Sequence, residues 1–127
     1  MIFDKDFICN LLERAASSER LRQNYDLRNS AEDTSQRMLN ALQPGTKVPI
    51  HRHTDTAETV ICICGCLEEI FYEAIDAECT EFKETQRILL SPAENKYGMQ
   101  IPTGVWHSIN VIEPSVIFEA KDGAYKG

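Results

Sequence analysis

An all-β barrel or sandwich preceded by a short helix is the fold this sequence predicts. Three observations predict it. From Gln36 onward, short segments alternate apolar and polar residues in strand fashion. Turn residues separate them at Pro44-Gly45, Thr54-Asp55, Gly65, Ser91-Pro92, Pro102-Thr103-Gly104 and Glu113-Pro114. Before Ser17, by contrast, the apolar spacing is helical.

Residues 4–16 read as a helix, because Phe3, Phe7, Ile8, Leu11, Leu12 and Ala15 form one apolar stripe. Ser17-Ser18 marks its end. Residues 19–35 are polar, and Leu21–Leu27 within them reads as an edge strand. Strands are then expected near 36–42, 47–53, 58–64, 67–73, 86–90, 98–102, 106–112 and 115–121. Even spacing of this kind predicts a sandwich or a barrel-like jelly roll. The chain divides into an N-terminal helix and polar arm, 1–35, and a β domain, 36–127, that together form one folded unit.

Composition narrows the function. The chain has 127 residues, enough for a core without staples. Its net charge of −7 excludes a broad nucleic-acid footprint, which needs clustered Lys and Arg. No apolar run approaches the roughly 20 residues of a membrane helix. The N-terminus carries acids early and does not read as a signal peptide, so a cytoplasmic location is expected. Five cysteines is an odd number, and Cys62, Cys64 and Cys66 alternate along one strand, which points to reduced thiols rather than disulfides.

All three histidines fall in one spaced pattern. It runs Gly45, His51, His53, Glu58, Gly65, and is answered by Gly98, Pro102, Gly104, His107, Asn110. Residues i and i+2 of a strand share a face and lie roughly 6.5–7 Å apart along it. Two imidazoles placed that way can converge on one ion at about 2.0–2.1 Å from each nitrogen. His51, His53, Glu58 and His107 are therefore candidate ligands of one divalent transition metal ion. Zn, Fe, Mn and Ni all accept such a mixed imidazole–carboxylate set.

These spacings resemble the two conserved signatures of the cupin superfamily, which implies a cupin jelly-roll barrel. The first signature fits at every position from Gly45 to Gly65. The second departs from it at Gly98 and at Asn110, each closer to its neighbour than usual, which puts a role for Asn110 in doubt. The blocks Gln36–Thr46, His51-Arg52-His53, Ile101–His107 and Phe118–Tyr125 are similar to the WbuC family of small cupin-fold metalloproteins, often encoded near O-antigen polysaccharide genes. A small-molecule ligand is expected, the cupin resemblance implies a homodimer, and the net charge of −7 argues against a nucleic-acid or anionic-membrane partner. The chain stops soon after Tyr125, where such relatives commonly continue, which implies a short member or a missing C-terminal cover.

Other residues are read against simpler alternatives. Val60, Cys62 and Cys64 share the inward parity of Glu58, and the cysteines read as small core residues. Gln36, Arg37 and Asn40 are candidate substrate-binding residues. Arg37 is either an anion clamp or a salt-bridge partner of Glu32 or Asp33. Glu119 and Lys121 are either an acid–base pair near the metal or a solvated cross-strand pair, and Tyr125 is a further candidate base. Trp106 reads as a packing residue opposite His107. The acidic run from Glu68 and Glu69 to Glu84 reads as a solvated face. The function expected is a metal-dependent enzyme acting on a small polar or sugar-type substrate linked to surface polysaccharide biosynthesis. The alternatives are a non-catalytic binding or sensing module and a structural metal.

Overall fold

A computed structural model describes residues 1–123. The chain opens with helix α1 (Lys5–Ser17), capped by the Asp4 carboxylate, which accepts from the Phe7 amide at 2.9 Å. Six strands follow: β1 (Arg22–Asp26), β2 (Ser35–Leu42), β3 (Glu58–Ala74), β4 (Phe82–Leu90), β5 (Gly98–Ile101) and β6 (Trp106–Asp122). They form one antiparallel sheet in the order β1-β2-β6-β3-β4, with β5 pairing β3. This is the expected mostly-β architecture with a short N-terminal helix.

The pair β3 and β6 is the spine. Each has 17 residues, where the sequence predicted two strands apiece. The first half of β3 pairs β5 and the end of β6; the second half pairs β4 and the start of β6. The bend between halves lies at Gly65, opposite Pro114 and Ser115. There the register slips between Cys62 and Cys64, between Cys64 and Cys66, and again before Leu67. These bulges invert the side-chain parity. Glu58, Val60 and Cys62 face inward before the bend; Leu67 and Glu69 are buried after it. Cys64 consequently packs with the α1-side cluster rather than the barrel interior, a correction to its expected placement.

Segment 47–53 is not a strand, contrary to expectation. Pro49 lacks an N–H for a ladder, so the segment touches the barrel only at points. His51 and His107 exchange backbone bonds of 3.0 and 2.8 Å, the Gly104 amide donates to the His53 carbonyl at 2.7 Å, and the Ser108 hydroxyl donates to the Val48 carbonyl at 2.6 Å. It is a strap pinned across the start of β6.

Two apolar clusters flank the sheet. The interior one includes Leu42, Val60, Cys62, Leu67, Leu90 and Ile117; the outer one joins Leu11 and Ala15 of α1 to Leu39, Ala41 and Val116. Leu11 is 2% exposed, so Leu11→Ala should cost about 2–4 kcal/mol in urea unfolding. A loss below about 1 kcal/mol would show that α1 is not docked. All five cysteines are free, and burial pushes the Cys62 thiol up to about 11, as suits an inert packing residue.

Candidate metal centre

His51 and His107 face each other as a hydrogen-bonded antiparallel pair, so their side chains leave on the same side of the two chains. Their ring centroids are 4.2 Å apart. His53, two residues along the strap, brings its ring within 5.2 Å of His51 and 5.5 Å of His107. One nitrogen from each of the three rings lies within 4.8 Å of the others. Glu58, the first residue of β3, completes the group: its Oε2 is 3.0 Å from His53 Nε2 and 3.7 Å from His107 Nε2.

The rings are oriented from behind. His51 Nδ1 donates to the Pro49 carbonyl at 2.8 Å, and His107 Nδ1 to the Val105 carbonyl at 2.9 Å. A carbonyl oxygen can only accept, so Nδ1 carries the proton and Nε2 of the neutral ring keeps its lone pair. Histidine ligands of metals are commonly held in this way. Glu58 is 6% exposed, and its buried Oε2 has no aligned hydrogen-bond donor. A buried carboxylate oxygen left so is costly unless a cation meets it. The donor set therefore fits a divalent transition metal.

The protonation states agree with that fit. Burial alone raises the Glu58 carboxyl, but the His107 and His53 imidazoles beside it outweigh burial and hold it well below the usual carboxylate range. Burial pushes His51 below the ordinary imidazole range; the Pro49 carbonyl opposes this, while His107 and His53 reinforce it. An ionised Glu58 and a neutral His51 are the forms that bind metal.

A cavity of about 330 Å³ opens beside these ligands. Cross-strand partners share a face, so Gln36, Lys121 and Glu58 form one row across β2, β6 and β3, and Met38, Glu119 and Val60 the next. Gln36, Lys121 and Glu119 all line the cavity. Burial, and then the Glu58 charge, push the Glu119 carboxyl up to about 8. Asn40 does not line the same cavity but reaches Glu119 Oε1 with Nδ2 at 3.4 Å.

Other nominated residues lie elsewhere. Arg37 has the opposite parity and is bonded to Asp33 at 3.2 Å and to the Ser35 carbonyl at 2.9 Å, away from the cavity. Tyr125 lies outside the described residues. Asn110 points outward and donates to Glu68 at 2.9 Å. Trp106 packs against Phe82 and under Arg52, whose guanidinium carbon is 4.5 Å from the ring centroid.

Two contributors were not foreseen. Ser108 ties the strap to β6 and so helps place His51. Glu69, expected on a solvated acidic face, is 1% exposed inside the barrel. Its carboxyl is raised well above the usual range by burial first, then by the charges of Glu58 and Glu119. The bend at Gly65 is the reason, since it turns odd-numbered residues inward. The neighbouring Leu67 and Phe71, apolar at the same parity, were the available signal.

A model of the family described as a domain of unknown function, DUF6016, matches residues 3–83, more than half of the chain. The chain belongs to this family. The match contains His51, His53 and Glu58 and stops before His107. No curated protein matches the chain. Among solved structures, KdgF from Halomonas sp. is similar at 14% identity and TM-score 0.61, covering 82% of each chain. A cupin-2 domain containing protein from Shewanella frigidimarina is similar at 22% identity and TM-score 0.56, covering 79% of each. The capsular polysaccharide assembling protein CapF from Staphylococcus aureus is similar at 19% identity and TM-score 0.61, over 86% of this chain and 28% of CapF. These likenesses show a cupin jelly-roll fold.

Proposed function

We propose that this cupin-fold chain holds one divalent transition metal at His51, His53, Glu58 and His107 and acts as a metal-dependent enzyme on a small polar or sugar-type molecule. The observation that carries this reading is the gathering of three imidazoles, two of them oriented by backbone carbonyls, beside the buried Glu58 carboxylate. When bound, such an ion polarises a carbonyl or activates water. The chain's own residues do the rest. Gln36 and Lys121 offer donors to a polar ligand at the cavity wall. Glu119 places a carboxyl beside the ligands, where it can hold a proton for transfer, with Asn40 steadying Oε1. A merely binding or sensing module needs no such proton carrier, so Glu119 favours the enzymatic reading over that alternative.

The link to surface polysaccharide biosynthesis rests on the similarity of four sequence blocks to the WbuC family and is supported by the likeness to CapF. A cytoplasmic location belongs to the same proposal; no helix among the described residues is long and apolar enough to cross a membrane.

The opening of the site is testable with Mn(II) as probe. Water-proton relaxation should be enhanced when Mn(II) is bound to the protein, because four protein ligands leave positions on an octahedral ion for exchangeable water. His53→Ala should abolish the enhancement. Tight Mn(II) binding with no enhancement would indicate a closed, structural ion and remove the enzymatic reading.

A further inference from the structure

Arg20 and Arg22 are adjacent cations in an acidic chain of 20 acidic and 13 basic residues. Among the described residues, no carboxylate lies within ion-pair distance of either. Arg22 is half-buried, and its Nη1 donates to the Lys47 carbonyl at 2.7 Å, which fixes the guanidinium plane. Most of its N–H groups have no acceptor among the described residues. Arg20 precedes Leu21, a non-glycine residue at φ 56°. That left-handed turn is held by the Leu21 amide on the Ser18 carbonyl at 3.0 Å and the Gln43 amide on the Leu21 carbonyl at 2.9 Å. Burial, and then the Arg20 charge, hold the Arg22 guanidinium below its usual range.

The two arginines line a pocket of about 210 Å³ with Ser18, Gln23, Asn24 and Asn40, all of them polar. This pocket is not isolated. Asn24 lines both it and the cavity beside the histidines. Asn24 and Asn40 are direct cross-strand partners and so share a face, and Asn40 reaches Glu119. A continuous polar path thus runs from Glu58 through Glu119, Asn40 and Asn24 to Arg22.

We propose that Arg20 and Arg22 form an oxyanion-binding subsite contiguous with the metal cavity, which takes the phosphate or carboxylate end of the small polar ligand. Guanidinium groups present parallel N–H donors that match both oxyanions, and the asparagine amides of Asn24 and Asn40 can follow the ligand toward the ion. The subsite rests on the proposed metal centre only for where the far end of that ligand reaches. Its anion binding stands on the arginines alone.

Inorganic phosphate and acetate are the probes, titrated into the full chain and followed by backbone amide NMR shifts. Saturable shifts at Arg22, Asn24 and Asn40 are expected with at least one probe. Phosphate binding tighter than acetate assigns a phosphorylated ligand, and the reverse a carboxylate. Arg20→Gln, at an exposed position that leaves the Arg22 anchor intact, should weaken binding about tenfold. Arg20→Gln combined with Arg22→Gln should abolish the shifts at Asn24 and Asn40. Shifts at Asn24 and Asn40 that persist in the double arginine variant would overturn the subsite. Loss of metal occupancy in the wild type would overturn the metal centre and leave the anion result standing.

Discussion

Gly65→Ala should destabilise the chain by more than about 3 kcal/mol, a large fraction of the total stability of a domain this size. Gly65 has φ 96°, a left-handed conformation that a Cβ disfavours. An added Cβ would also collide with the Pro114 carbonyl and the Ser115 hydroxyl and lie 2.6 Å from Ser115 Cα. Two of the three collisions are with the backbone of β6, so no side-chain rotation relieves them all. Gly104→Ala provides the comparison. Its φ of 82° imposes similar backbone strain, but nothing lies within 4 Å of the added Cβ, so its cost should stay near 1 kcal/mol. Urea unfolding of both variants measures the difference. Equal, small losses would mean that the bend is not as tight as described.

Glu69→Leu should stabilise the chain, and by more at high pH. The Glu69 carboxyl is flanked across the sheet by Ile88 and Ile109, and its Oε2 has no hydrogen-bond partner. Replacing an unsatisfied buried acid by an apolar residue of similar size removes a cost of about 1–3 kcal/mol. The sign of the pH dependence follows from the raised folded-state carboxyl. The unfolded chain loses this proton near its ordinary value of 4.5, while the folded chain retains it. Stability contributed by the protonated form is therefore complete below about pH 4.5 and lost as pH rises through the folded value. Wild-type stability should fall from pH 5 to pH 9, and Glu69→Leu should flatten that fall. Thermal unfolding at several pH values checks this. A gain that does not vary with pH, or a loss at pH 9, would contradict the buried, proton-holding Glu69.

The helix, the barrel class and the clustering of the three histidines were legible in the sequence for local reasons. Apolar residues at Phe7, Leu11 and Ala15 have only one periodicity that buries them together. His51 and His53 lie two residues apart and stay close even on a strap that is not a strand, and the glycines around them mark where the chain turns. Residues whose placement depends on register were not legible. Glu69 and Cys64 exchanged their expected faces because bulges at the bend inverted parity, and no single residue announces a bulge. Segment 47–53 had strand-like alternation, yet Pro49 limited its pairing to a few points. Arg37 was separated from Gln36 and Asn40 only once the β2 pairing with β6 fixed which face looked inward. The neighbouring Arg20 and Arg22 gave no signal, since their role depends on β1 placing Asn24 against Asn40.

The most direct test of the proposed metal centre is elemental analysis of the chain purified without a metal-affinity tag, beside its His51→Ala variant. His51 is oriented by Pro49 and pairs with His107, so its loss removes one ligand and a neighbour of the other two histidines. The wild type should carry close to one equivalent of a divalent transition metal. His51→Ala should retain well under half of that, with its fold preserved by circular dichroism. Equal, full metal occupancy in the folded variant would contradict the assignment of His51, His53, Glu58 and His107 as the metal centre.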